Sequence, residues 1–214
     1  MNKEVFLKAI KELKDENKSK KRKFNQSVDL IVNLRNFDIR RESVNLVLIL
    51  PFKIKDAKVA GFLNNKSNHI DSITKAEFEK YKDKKEIKKL VKKYDFFIAS
   101  AKLMPEIATN FGKYLGPSGK MPTPQLGIIA QDDESSIKDA LKKFDKILKV
   151  RSKEPSIKLS VANQNMKDEE IVDNLVFVFN SIINVLPRKK ENIKNVMIKL
   201  TMSKPIKLVG EIKQ

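Results

Sequence analysis

Close to one end the chain reads Lys23-Phe24-Asn25-Gln26-Ser27-Val28-Asp29, and close to the other Lys199-Leu200-Thr201-Met202-Ser203-Lys204-Pro205. Each stretch joins lysine to a large apolar side chain and a hydroxyl, and each abuts a strand-like run. Clustered cations hold phosphates, while a neighbouring aromatic or apolar group meets bases and sugars, which is how RNA loops are commonly gripped. Taken together, the two stretches read as halves of one RNA-binding surface, although taken singly each also reads as structure, Phe24 as a plug at the edge of the core and Thr201-Met202-Ser203 as a strand-ending turn. A surface shared between distant parts of a chain requires a discontinuous domain, with the intervening residues inserted into it.

Working outward from the first stretch, Val28, Leu30, Val32 and Leu34 alternate with Asp29, Ile31, Asn33 and Arg35, the period of a half-buried strand. Upstream, Phe6, Ala9, Ile10 and Leu13 fall at helical spacing with charge on the opposite face, which predicts a helix covering a sheet. Val44 to Leu50 is an almost unbroken aliphatic run, predicting a strand covered on both faces and ended by Pro51. Around the second stretch, Ile157–Val161 and Val196–Leu200 read as strands. Between them a helix over 169–186 puts Ile171, Leu175, Val178, Ile182 and Val185 on one face.

The middle of the chain has a different rhythm. Val59–Leu63 and Tyr94–Ala99 are short apolar strands separated by a Lys/Glu-rich helix through 75–93, an alternation that predicts βαβ units and a small parallel sheet. A further helix places Ile137, Leu141, Phe144 and Leu148 together. Asp132, Asp133, Glu134 and Ser135 precede it and suit a helix N-terminus better than a metal site. Basic connections at Phe52–Lys58 and Arg151–Pro155 bracket this region. The expected fold class is α/β with two domains: a discontinuous α+β RNA-binding domain of residues 1–55 and 154–214, and an inserted Rossmann-like βαβ domain at 56–153.

Composition narrows the chemistry. The 214 residues carry a net charge of +18, which attracts polyanions by releasing their counterions and makes nucleic acid the leading partner. The charge is densest from Lys18 to Lys23. With no cysteine there are no disulfides, thiolate nucleophiles or Cys-based zinc sites. No run approaches the roughly 20 apolar residues of a membrane span, and no signal-peptide core follows Met1, so a cytoplasmic protein without a membrane partner is expected. The single histidine, His69, cannot build a His-based metal site, and no Ser/His/Asp arrangement has a local signature. Gly116-Pro117-Ser118-Gly119-Lys120 invites a nucleotide-binding reading. A P-loop, however, needs four residues between its glycines and Ser or Thr after the lysine, and here Met121 follows.

Leu115-Gly-Pro-Ser-Gly-Lys-Met-Pro122 lies between the two terminal stretches, and with Leu50-Pro51, Lys93-Tyr-Asp-Phe-Phe-Ile-Ala99 and Glu170-Ile-Val-Asp-Asn174 it completes a pattern. Over nearly its full length the chain resembles the universal large-subunit ribosomal protein L-one family, the RNA-binding proteins of the mobile stalk. The run 116–122 is similar to the archaeal form, and Lys204-Pro205 to the eukaryotic one. The resemblance implies that Lys23, Phe24, Ser27, Thr201, Met202, Ser203 and Lys204 contact large-subunit ribosomal RNA, with a hydroxyl and a backbone amide of the 201–203 turn reading ribose and phosphate. The resemblance implies that the run around Lys120 is a structural loop of the inserted domain, with a secondary RNA contact through Lys120 as the alternative. The resemblance also implies exit-site tRNA and the protein's own messenger RNA as partners, release of deacylated tRNA and translational repression as roles, and a ribosomal location. It implies a monomer off the ribosome, with no cofactor, metal or catalysis. The chain departs from the family at Ser203, where glycine is usual, at Phe52-Lys53 for His-Gly, and at Val161-Ala162 for Val-Gly. Two rivals remain: an RNA-binding relative outside the ribosome, and a nucleotide-dependent enzyme working through Lys120.

Overall fold

The computed structural model describes residues 2–18, 23–38, 40, 42, 44–67, 69–81, 83–124, 126–129, 133–152 and 154–208. Ser19 to Arg22 of the basic run, Asp132 of the acidic cluster and Lys153 of the second connection lie outside the described residues. The chain runs through helix α1 (Lys3–Lys18) and strands β1 (Ser27–Leu34), β2 (Asn45–Ile49), β3 (Val59–Phe62) and β4 (Asp71–Ile73). Next come a 3-10 helix over Lys75–Tyr81, α2 (Lys84–Lys93), β5 (Phe96–Ser100), α3 (Met104–Leu115), β6 (Ile128–Ile129) and α4 (Glu134–Phe144). It ends with β7 (Ile147–Arg151), β8 (Ser156–Asn163), α5 (Asp168–Val185), β9 (Ile193–Leu200) and β10 (Ile206–Lys207). These elements divide into two compact units, Met1–Lys55 with Lys146–Gln214, and Asp56–Asp145.

In the first unit, alternation along β1 turns Val28, Leu30, Val32 and Leu34 to one face, where all four are buried. β1 pairs antiparallel with both β8 and β9, giving the sheet order β10-β9-β1-β8. Phe6, Ile10 and Leu13 of α1 and Ile171, Leu175, Val178 and Ile182 of α5 close the core over that face, and the rings of Phe6 and Phe179 meet edge-on at 6.1 Å. Each such side chain taken out of water contributes about 1.5–3 kcal/mol. Val185 does not join them, being exposed, and Leu186 is buried in its place. Asn174 is fully buried in this core because its amide is used: it accepts the Phe52 N–H (3.1 Å) and donates to the carbonyls of Phe52 (3.2 Å) and Val161 (3.1 Å).

β2 is not covered on both faces. It pairs with β7 in a two-stranded ribbon whose Leu46 and Leu48 pack on the core, while Val47 and Ile49 are exposed. An aliphatic run sets strand propensity but not the number of layers around the strand. The same pairing moves the second domain junction. Asn45 faces Arg151 and Ile49 faces Ile147, so the segment from Lys146 goes with the first unit, and the junction falls at 145/146 instead of 153/154.

The second unit is built on a parallel sheet of order β4-β3-β5-β6. Phe62 sits at its centre, stacked on Phe97 (5.5 Å) and close to Phe111 (5.0 Å) and Phe78 (5.9 Å). Gly127 is required where it stands: its φ is +97°, and a Cβ there would lie 2.5 Å from the Phe97 carbonyl oxygen. The helix expected over 75–93 is two pieces, with Asp83 extended (φ −75°, ψ 128°) before α2. The helix expected to reach Leu148 ends at Phe144, and Leu148 belongs to β7. Asp133 holds its N-cap position without a side-chain capping bond, so Glu134 in the first turn acts there by charge.

The Gly-Pro-Ser-Gly-Lys run is a helix stop. Gly119 adopts φ +66°, the Gly119 amide bonds the Gly116 carbonyl (2.9 Å), and the Lys120 amide bonds that of Leu115 (3.0 Å), closing the end of α3. Lys120 then turns its ammonium onto the C-terminal end of α2, donating to the carbonyls of Val91 and Tyr94, both at 2.7 Å. A cation among terminal helix carbonyls is favourable. Two of the three Lys120 N–H donors are thereby spent inside the unit, which gives the residue a structural role at the end of α2.

Candidate nucleic-acid interface

The antiparallel ladder brings the two terminal stretches together. Val28 faces Leu200 and Asp29 faces Lys199, so the start of β1 and the end of β9 share one end of the sheet, where Ser27 also faces Asn163 at the end of β8. Ser27 and Thr201 meet there. The Ser27 N–H donates to Thr201 Oγ1 at 3.0 Å, the two hydroxyl oxygens are 3.0 Å apart, and the Thr201 N–H returns to the Ser27 carbonyl at 3.2 Å.

Around this junction Phe24 and Met202 stand 49% and 58% exposed, unusual for side chains of that size and unlike the buried apolar residues on the other side of the sheet. A Phe24 that plugged the edge of the core would not be half exposed. Lys23 and Lys204 are exposed beside them, and Lys199 is half-buried on the same strand end. The expected residues Lys23, Phe24, Ser27, Thr201, Met202, Ser203 and Lys204 therefore all lie on the two segments that meet at this end of the sheet.

One expectation is overturned. No backbone amide of the 201–203 turn is directed at a ligand: Thr201 N–H goes to Ser27 O, Met202 N–H to the Gln26 side-chain carbonyl (3.0 Å), and Ser203 N–H to Leu200 O (3.0 Å). The turn spends its donors on its own closure. Ser203 helps, its hydroxyl accepting the Leu200 N–H at 2.8 Å. Neither Ser203 nor Phe52 nor Ala162 needs the left-handed region that would favour glycine, since the described non-glycine residues with positive φ are Asn36 and Lys189. Ala162 lies next to the register shift opposite Val28/Asp29, where β8 carries an extra residue, and is fully buried.

Several residues of the site were not singled out from the sequence. Gln26 is fully buried and ties three chain segments, its side chain to Met202 and its carbonyl to the Gln164 N–H (2.9 Å). The partly exposed face of the sheet continues the surface through Asp29, Ser160 and Lys199 in one cross-strand row and Ile31, Lys158, Met197 and Lys207 in the next. Farther along, Asn33 donates to Asn195 (2.6 Å) and accepts from Ser156 (2.8 Å). The period-two pattern that buries Val28 and Leu30 also places these residues on one face, so the signal was present. No group of His, Asp and Glu able to hold a metal ion occurs among the described residues, and no helix among them is long and apolar enough to cross a membrane.

The chain has relatives among known proteins along almost its whole length. Residues 13–204 match the Ribosomal protein L1p/L10e family. The large ribosomal subunit protein uL1 of Pyrococcus abyssi is 35% identical over 220 residues, spanning 98% of this chain and 97% of its own. Its counterparts in Methanocaldococcus jannaschii (33% over 222 residues, 99% and 98%) and Thermofilum pendens (36% over 206 residues, 90% and 88%) also match over most of their length. The matched span includes both halves of the sheet-end site as well as the inserted unit, and on that basis the chain belongs to the ribosomal protein L1p/L10e family.

Proposed function

We propose that the first unit is the RNA-binding domain and holds large-subunit ribosomal RNA at the base of the mobile stalk through Lys23, Phe24, Ser27, Thr201, Met202, Ser203 and Lys204. As a member of its family the chain is a structural protein of the large ribosomal subunit and not an enzyme. The observation that carries the RNA assignment is the meeting of Ser27 and Thr201 at 3.0 Å between two exposed large apolar side chains, Phe24 and Met202, in a basic protein. Lysines neutralise phosphates, the apolar pair meets sugar and base surface, and the hydroxyl-rich strand ends supply directional bonds. Binding of this kind needs no cofactor or metal.

The finer roles are proposed on the family resemblance alone. The inserted unit moves with the stalk and assists release of deacylated tRNA from the exit site. The sheet-end site also takes a similar RNA bend in the protein's own messenger, repressing translation, and off the ribosome the protein is a monomer. A nucleotide-dependent enzyme is disfavoured by the engagement of Lys120 with Val91 and Tyr94.

The test is a titration against a stalk ribosomal RNA fragment over a range of salt, with a scrambled RNA of equal length as competitor. Tight binding that survives the competitor near physiological salt supports the proposal. Equal affinity for both RNAs would leave only a basic protein and remove it.

A further inference from the structure

We propose that the groove between α1 and α5 is a docking site for a protein partner, which inserts an arginine side chain from a basic segment. The proposal does not depend on the RNA-binding reading: α1 and α5 cover the buried face of the first unit's sheet, and the groove lies on that helical layer. Lys3, Glu4 and Leu7 of α1 and Glu169, Val172 and Asp173 of α5 line a pocket of about 290 Å³. That volume is at the lower limit for a small-molecule site and suits one or two side chains better than a nucleotide. Val172 is buried and Leu7 half-buried, so the apolar residues make the floor, while Glu4 and Glu169 are exposed at the rim, one on each helix.

The charge of this pocket runs against that of the molecule. Three carboxylates and one ammonium line it, in a chain of net charge +18. Lys3 is spent on Asp173 at 2.7 Å, whereas Glu4 and Glu169 have no ion-pair partner among the described residues. Their places in the first turns of two helices suit the helix dipoles, but a dipole does not call for an apolar hollow between them. RNA is repelled here, because its phosphates would meet unpaired carboxylates. A second copy of the chain is disfavoured by the repulsion of two strongly cationic molecules. A cation on an apolar stem is complementary: the stem lies on Leu7 and Val172 and the head reaches Glu4 and Glu169. Arginine meets this better than lysine, since its planar fork bonds carboxylate oxygens in pairs and is weakly hydrated. One turn beyond Asp173 the ring of Phe177 is 38% exposed, a surface for the next cation of the same segment.

The test is a fluorescence titration of the full chain with a labelled hexapeptide that holds two adjacent arginines between leucines, and with the same peptide carrying neutral, isosteric citrulline in their place. Wild type should bind the arginine peptide about tenfold more tightly, the scale of a charge-assisted bidentate contact, although net charge alone would favour the neutral one. Glu4→Gln combined with Glu169→Gln, both exposed positions, should erase that preference, and Phe177→Ala should weaken the arginine peptide about threefold. The methyl NMR signals of Leu7 and Val172 should shift as the peptide binds. Equal affinity for the two peptides, an arginine preference that survives the paired Glu→Gln changes, or shifts that spare Leu7 and Val172 would each overturn the proposal. Spermidine that binds as tightly and displaces the peptide would overturn it in favour of a free polyamine. Self-association of wild type that the paired Glu→Gln variant abolishes would overturn it in favour of a second copy.

Discussion

Thr201 concentrates the consequences at the residue scale. Replacing it with Val keeps the shape and removes the hydroxyl, so affinity for the stalk fragment should fall by about 1–3 kcal/mol, the cost of lost directed contacts. Binding to scrambled RNA should barely change, and parallel titrations of the two RNAs check this. Gln26 acts one layer down. It is fully buried and takes the Met202 amide proton, so Gln26→Ala leaves a donor without its partner and should cost about 1–3 kcal/mol of stability in urea unfolding. It should also weaken RNA binding by loosening the turn that presents Met202. Thr201 and Phe24 stood out as candidates in the sequence because they stand beside lysines at strand ends. Gln26 was not, because a glutamine in a polar stretch carries no sign that the chain folds over it.

At the scale of elements, periodicity read the helices and strands whose burial follows it. β1, β8, β9, α1 and α5 emerged from the sequence within a few residues, each having a regular apolar stripe. The elements misread are those whose neighbours decide their surroundings: the ribbon of β2 and β7, and α4, which stops at Phe144 so that Leu148 can enter a strand. α3 was not among the elements read from the sequence, although Ile107, Phe111 and Leu115 are buried at helical spacing. The Gly-Pro-Ser-Gly run was legible as a loop, but the long-range contact made by Lys120 was not. Lys120→Ala removes both carbonyl bonds at the end of α2 and should destabilise the inserted unit by about 1–2 kcal/mol in denaturant, with RNA affinity unchanged. Asp71 on β4 gives that unit a pH response. Hydrogen bonds from the Tyr94 hydroxyl and then Lys93 hold its carboxyl below the ordinary range. A folded value below the unfolded one adds stability above the usual carboxylate pKa, about 4, and this is lost as pH falls through the folded value. The stability gap between wild type and Asp71→Ala, measured by denaturant unfolding from pH 7 to pH 2, should therefore narrow at the acid end.

Over the whole molecule, a net charge of +18 makes affinity for RNA depend on salt. Lys23→Ala and Lys204→Ala should each weaken all RNAs alike and lower the salt slope by about 0.7–0.9, the signature of one phosphate no longer neutralised. A slope that stays put would place those lysines outside the contact. Charge identified the partner class from the sequence but not the face, because the excess of lysine runs through both units; the pairing of chain ends in one ladder is what directs the proposal to the sheet end. That ladder has a consequence for biosynthesis. β1 leaves the ribosome early, yet its pairing partners β8 and β9 lie at residues 156–163 and 193–200, beyond the whole inserted unit. A nascent chain can therefore complete the insert while β1 still waits with its apolar row unpaired. A product broken off before Ile193 never acquires Thr201 or Met202; with RNA held as proposed, it could not compete with its finished siblings, and the molecule's competence would double as a receipt that translation went through to β9.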